Sequence, residues 1–265
     1  MAQTITMIKT QKRKGRYNIY LDGKYAFPVG EDVLIRFGLS KGQELTSDDV
    51  KNIQTADNTS KAYQKALNYL AHQLRTQKEV HDHLLQNEID LADIDKAISK
   101  LSDMGLIDDG KYAASFVRTI AKTSDKGPIV ITTKLKQKGV ASADIEDALK
   151  EFPLEKQVQN GLMAAKKSIK HFHRESFRNT LNKIKQQLMQ KGFTGEVVAE
   201  VMTELDLHPD ENTEKEALHL KGEQLWRKSK RYENKQQIQK VRQGLYRQGF
   251  SIDMINQYLD QKNKE

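Results

Sequence analysis

The chain has 265 residues, 37% of them hydrophobic and 30% charged, with a formal net charge of +8 and no cysteine, which excludes disulfides, thiolate metal sites and cysteine nucleophiles. No apolar run approaches the ~18 residues that span a bilayer and no signal-peptide core opens the sequence, so a cytoplasmic protein without a membrane partner is expected. The positive balance favours nucleic acid or an acidic protein surface, and it is uneven: residues 153–265 hold 21 Lys/Arg against 15 Asp/Glu, whereas residues 60–152 hold 14 of each.

The first 58 residues differ from the rest. Residues 4–9 and 16–21 have the β-branched and aromatic content of strands, and Asp22-Gly23 between RYNIYL and KYAFPV is a two-residue hairpin signal. The loop Lys12-Arg13-Lys14-Gly15, followed by Arg16, is either a solvated tip or a contact for a nucleic-acid backbone. A short helix over 31–37 ends at Gly38. Thr46-x-x-Asp49 then forms a capping box for a helix that fades near Ala56-Asp57-Asn58. Residues 1–58 are thus expected to form a small β-rich domain.

Beyond it the chain repeats. Val80, Leu84, Ile89, Ile94 and Ile98 are spaced 4, 5, 5, 4, and the spacing recurs at Ile131, Leu135, Val140, Ile145 and Leu149. It recurs again at Ile184, Leu188, Phe193, Val198 and Met202, and at Val241, Leu245, Phe250, Ile255 and Leu259. The second position is always leucine. The turn that follows carries Gly139, Gly192 and Gly249, with Glu88 in the first copy, and cap residues Asp90, Ser142, Thr194 and Ser251 come next. Steps of roughly 50 residues mean a tandem array of one supersecondary unit. Four three-helix repeats are expected, over 59–106, 107–152, 153–207 and 208–265.

The first repeat opens with Tyr63, Leu67 and Leu70 on one face, and Thr76-x-x-Glu79 caps its second helix. In the second repeat a helix over 109–122, capped by Asp108, gathers Tyr112, Ala113, Phe116, Val117 and Ile120 on one side and Lys111, Arg118 and Lys122 on the other. Its second helix starts at Gly127-Pro128, because proline at the first helical position gives up only an unpaired donor. That helix buries Leu135, flanked by Lys134 and Lys138, and stops at Gly139. The third repeat sets Val158, Leu162, Ala165, Ile169 and Phe172 against Lys156, Lys167, Lys170 and Arg174. Its second helix follows with Phe177 and Leu181. A polar connection over 207–213 leads to the fourth repeat, which holds Trp226 beside Arg227-Lys228-Ser229-Lys230-Arg231, and residues 261–265 fray.

Candidates for chemistry are few. Adjacent Asp108 and Asp109 diverge by about 100° on a helix, so capping and dipole compensation explain them better than a metal. His81 and His83, like His171 and His173, are two apart, whereas zinc helices use a separation of four. No phosphate loop, dinucleotide fingerprint or nucleophile elbow is present. No enzyme, catalytic residue, metal or cofactor is expected. The recurrent polar feature is the basic helix face, which makes Lys111, Arg118, Lys122, Lys134, Lys138, Lys167, Lys170 and Arg174 the candidate contacts for a partner or nucleic acid. The competing explanation is that these cations only keep amphipathic helices soluble.

GLIDDGKYAASFVRTI, KGPIVITTKLKQKGV and ADIEDAL together resemble the central repeat of the RecX family of regulatory proteins. KALNYLAHQLRTQKEV resembles the family's first repeat and LMQKGFTGEVVAEVM its third. The amino-terminal extension and fourth repeat resemble the long Gram-positive form. Glu88 departs from the usual turn glycine, and Lys134 stands where the family often has an acid. The resemblance implies tandem three-helix repeats that bind a RecA–DNA filament and inhibit the recombinase, ATPase and coprotease activities of RecA without chemistry of their own. The fold expected is mainly α, an elongated array of three-helix repeats with a small β-rich amino-terminal domain, and a monomer. The alternative is a DNA-binding regulator built of helix-turn-helix-like units.

Overall fold

Strands β1 (Gln3–Thr10), β2 (Arg16–Leu21), β3 (Lys24–Gly30) and β4 (Glu44–Leu45) form one antiparallel sheet in the order β3-β2-β1-β4. They belong to a computed structural model that describes residues 2–172 and 174–263. Asp22 and Gly23 both take positive φ (49° and 79°), as a tight two-residue hairpin requires. Alternate residues Ile19, Leu21, Phe27 and Val29 turn inward and pack with Ile5, Leu45, Val33 of helix α1 (Glu31–Arg36) and Ile53 of helix α2 (Ser47–Leu70).

Helix α2 corrects the sequence reading. It starts at the Thr46–Asp49 capping box but does not fade at residues 56–58; it continues to Leu70 and also serves as the opening helix of the first repeat. The reason is Asp57, which is 2% exposed. Its carboxylate accepts from Arg16 Nη1 (2.7 Å) and Nη2 (3.0 Å), from the Gly30 N–H (2.7 Å), and pairs with Lys61 (2.8 Å). The unfavourable helix propensity of Asp and Asn amounts to tenths of a kcal/mol each; these charge-assisted bonds outweigh it.

Among the described residues eleven further helices follow: α3 (Gln77–Gln86) and α4 (Leu91–Asp103); α5 (Asp109–Thr123), α6 (Pro128–Gln137) and α7 (Ser142–Leu149); α8 (Leu154–Ile169), α9 (Phe177–Gln190) and α10 (Gly195–Leu205); α11 (Glu211–Ser229), α12 (Asn234–Arg247) and α13 (Ile252–Lys262). The chain forms two compact units, Met1–Ala113 with Leu135–Ile145, and Ala114–Lys134 with Glu146–Glu265, so the helices of the second repeat are shared between them. Of the twenty positions in the 4, 5, 5, 4 pattern, seventeen are buried and Ile89, Leu149 and Met202 are half-buried, which fixes the repeat register.

The leucine of each set has two tasks. Its side chain is at most 1% exposed in all four copies, and its carbonyl accepts the N–H five residues on: Ile89 to Leu84 (3.3 Å), Val140 to Leu135 (3.1 Å), Phe193 to Leu188 (3.2 Å) and Phe250 to Leu245 (3.3 Å). This closing bond places the intervening residue in the left-handed region. Gly139, Gly192 and Gly249 sit at φ 85°, 87° and 91°, and Glu88 at 59°. Thr194 and Ser251 then cap α10 and α13 as expected. Ser142 does not cap α7: it is the first helical residue, and Ala141 supplies the carbonyl that opens the helix.

The turns of the second, third and fourth repeats are also where each meets the repeat before it. The Thr76 hydroxyl, at the start of α3, donates to the Lys138 carbonyl (2.7 Å) beside Gly139, and the Gln77 N–H donates to Asp109 (2.8 Å). Gly127 N–H, just before α6, donates to the Lys191 carbonyl (2.8 Å), and Ile129 N–H to that of Gly192 (3.0 Å). The Ser176 hydroxyl, capping α9, donates to the Gln248 carbonyl beside Gly249, and Phe177 N–H donates to Glu214 (2.7 Å). A Cβ on Gly139 would stand 2.7 Å from Lys78 Cβ, and one on Gly192 2.7 Å from the Val130 backbone nitrogen. Glycine here is required for contact as well as for backbone angle. Glu88 belongs to the one turn with no preceding repeat to meet, and it is exposed.

Candidate interaction surface

Five of the candidate cations, Lys111, Arg118, Lys122, Lys134 and Lys167, lie on helices whose apolar sides are buried, Lys138, Lys170 and Arg174 lie beyond helix ends, and all but Lys138 are exposed. On α5, Lys111 pairs with Asp108 (3.1 Å), whose carboxylate also caps the helix by accepting the Lys111 N–H (2.8 Å). Arg118 Nη1 donates to both carboxylate oxygens of Glu151 (2.8 and 2.7 Å), and Lys122 is exposed near the helix end. On α6, Lys134 is exposed. Lys138 is different: it is half-buried, ion-paired with Glu79, and its Nζ lies 5.4 Å from the Tyr112 ring centroid. Burial opposes its charge, but Glu79 and Tyr112 hold the ammonium pKa above the ordinary value, and Glu79 is held below its own despite burial. Lys138 therefore ties two repeats together and offers its charge outward less than the others.

In the third repeat Lys167 lies on α8 and Lys170 immediately after it. Because α8 ends at Ile169, Arg174 and Phe172 lie beyond the helix, and the shared face expected for Lys156, Lys167, Lys170 and Arg174 does not extend to Arg174. Lys191 repeats the role of Lys138 by pairing with Asp125, whose carboxyl it holds below the usual range. Glu175 serves Lys183 (2.9 Å) and Lys221 (3.1 Å), which outweigh its burial and lower its pKa. Composition and periodicity do not distinguish these junction pairs from exposed cations, although the lysine preceding the turn glycine in two repeats is a signal. Among the histidines, His83 stacks on Tyr69 (3.9 Å, 7°), with Arg75 4.4 Å over the tyrosine's ring centroid. His173, Lys264 and Glu265 lie outside the described residues. The exposed cations can attract phosphate or carboxylate at close range, and no helix among the described residues is long and apolar enough to cross a membrane.

Four family models match this chain: the regulatory protein RecX N-terminal domain over residues 3–46, and the first, second and third three-helix domains of RecX over 62–101, 108–149 and 213–259. The model of the third domain falls on the fourth repeat here, leaving α8–α10 between matched segments. The chain is 43% identical over 255 residues to the regulatory protein RecX of Levilactobacillus brevis, covering 96% of both chains. It is 41% identical over 256 residues to that of Limosilactobacillus reuteri, covering 97% of both. A crystal structure of a regulatory protein RecX, 42% identical, superposes with a TM-score of 0.69 over 76% of this chain and 99% of the other. Sequence matches over nearly the whole length, and a shared architecture of three-helix domains behind a small antiparallel sheet, lead to one conclusion: the chain belongs to the RecX family of regulatory proteins.

Proposed function

We propose that this protein binds a RecA–DNA filament and restrains it, inhibiting the recombinase, ATPase and coprotease activities of RecA in the regulation of DNA repair and recombination. The observation that carries the reading is the near-full-length match to regulatory protein RecX, which extends through the amino-terminal domain and the repeats alike. The regulator acts by binding, without chemistry or cofactor of its own, as a cytoplasmic monomer. Lys111, Arg118, Lys122, Lys134, Lys167, Lys170 and Arg174 are its proposed contacts, with Lys138 contributing mainly by holding its repeat in place. Because such charges act on phosphate and acidic side chains alike, they are read by position and not by base sequence.

The test is the DNA-dependent ATPase of RecA, measured with this protein at substoichiometric ratios. Inhibition well below one regulator per RecA is expected, and unchanged turnover at equimolar ratio overturns the reading. A site-specific DNA-binding regulator would instead discriminate among duplex sequences by several kcal/mol, which binding curves on unrelated sequences would reveal.

A further inference from the structure

Residues 224–252 contain eight Lys/Arg and a single acid, Glu233. All eight cations, from Arg227 to Arg247, are exposed, and among the described residues none lies within ion-pair distance of a carboxylate. Other cations of the same unit are matched at repeat junctions and helix ends: Lys191 with Asp125, Lys221 with Glu175, Lys262 with Glu223. Solubility alone calls for interspersed signs, and an unneutralised block repels itself.

Helix α12 arranges part of this block. At 100° per residue Lys235, Arg242 and Tyr246 form one stripe, and Lys240 and Arg247 form a second about 120° round the helix. Between the stripes lie Gln236, Gln239 and Gln243, all exposed. No acid occurs anywhere in α12. At the helix start the Tyr232 ring holds Lys240 Nζ 4.3 Å and Arg231 Cζ 5.0 Å from its centroid, a cation–π arrangement that restrains both charges near one another. Tyr246, 56% exposed, adds an aromatic face to the first stripe. Seven residues of helix advance about 10.5 Å, so each stripe offers widely separated charges with neutral hydrogen-bonding amides between them. A chain of regularly spaced anions fits such a face better than a compact acidic patch does.

We propose that the outer face of α12, with the basic end of α11, binds the phosphate backbone of nucleic acid directly and without sequence preference. The inference deepens the reading of the protein as a filament regulator and rests on it for the presence of DNA, but it requires no recombinase. Cations contact phosphates, the glutamines contact sugars and phosphates, and Tyr246 offers a stacking surface to an unpaired base.

The test uses the full chain, a labelled oligothymidylate and no RecA, with affinity followed by fluorescence anisotropy across a salt series. Lys235→Glu, Lys240→Glu, Arg242→Glu and Arg247→Glu are combined in one variant. A control of the same net charge combines Lys9→Glu, Lys24→Glu, Lys41→Glu and Lys51→Glu, all exposed positions in the amino-terminal region. The α12 variant is expected to bind at least about tenfold more weakly and the control close to wild type. A gentler set with glutamine at the four α12 positions should flatten the salt dependence by about 0.7 in log–log slope for each lost contact. Circular dichroism of each variant establishes that it is folded. Equal losses in the α12 variant and the control would reduce the effect to net charge and overturn the proposal. So would undiminished binding by the α12 variant, or no binding of the oligonucleotide by wild type. Loss of RecA inhibition with oligonucleotide affinity intact would assign the face to an acidic protein surface instead. RecA inhibition is scored separately, so failure of the regulatory reading leaves the oligonucleotide result standing.

Discussion

Asp57 is the residue on which local reasoning fails most instructively. In sequence it sits in Ala-Asp-Asn, a combination that lowers helix propensity and predicts the end of a helix. Its partners Arg16 and Gly30 are 41 and 27 residues away, so no local window contains the reason it stays helical. Burial would raise its pKa, but Arg16, Lys61 and the Gly30 amide together hold the carboxyl below the ordinary aspartate value. A depressed carboxylate pKa adds stability that is fully present above the unfolded value and is lost as pH falls through the folded one. Asp57→Asn should therefore destabilise the amino-terminal sheet by about 3 kcal/mol near neutral pH, in the manner of a broken buried pair. The deficit relative to wild type should shrink below the ordinary aspartate range; an acid-unfolding series that leaves it constant would remove Asp57 as its source. Leu135 was legible without its partners, because periodicity alone marks it as core. It is 0% exposed, and Leu135→Ala should cost about 2–5 kcal/mol in a denaturant titration.

At the scale of elements, the 4, 5, 5, 4 spacing carried the fold because it encodes helix, turn and helix together. Two successive residues of that turn must pack and hydrogen-bond in one way, which ties the leucine, the left-handed residue and the next apolar position to fixed intervals. What the spacing could not reveal is what touches the turn from outside. Gly127 looked like no more than a prelude to Pro128, yet a Cβ there would come within 2.4 Å of the Gly192 and Phe193 backbone. Capping propensity favours Ser142 over Ala141 at the start of α7, but the register places Ala141 there. These contacts set an order of sensitivity. Gly192→Ala should destabilise by about 2 kcal/mol or more, since it adds a methyl at positive φ and presses it on Val130. Glu88→Gly should change stability little, exchanging relief of the left-handed side chain for added unfolded-state entropy. Gly195→Ala, at an open helix start with nothing within 4 Å, should be neutral or slightly stabilising. Thermal melts of the three proteins would compare them directly, and a Gly192→Ala protein as stable as Gly195→Ala would dismiss the contact as a source of stability.

For the whole molecule, the composition pointed to a binding protein with a polyanionic partner, and the resemblance of the central repeat pointed to a family. The partner itself is not written in periodicity, because a basic helix face serves solubility and recognition with the same residues. The charge reversals Lys111→Glu, Arg118→Glu and Lys122→Glu, made together, address that ambiguity. The ion pairs of Lys111 and Arg118 are exposed and worth at most about 1 kcal/mol each, so helical circular dichroism should persist and the melting temperature should fall by only a few degrees. Inhibition of RecA strand exchange should nevertheless drop severalfold, and full inhibition by the folded variant would shift the contact surface away from α5. The stitched turns also bear on how such a protein can grow longer. A middle repeat must present a bare backbone to the repeat before it and a donor to the repeat after it. The first repeat, with Glu88 in its turn, meets only the second of these demands. Duplicating a middle repeat within a gene would yield a copy ready to fit on both sides. Duplicating the first would set a glutamate side chain where a helix start has to close, so added length can be inherited from the interior of the chain and not from its beginning.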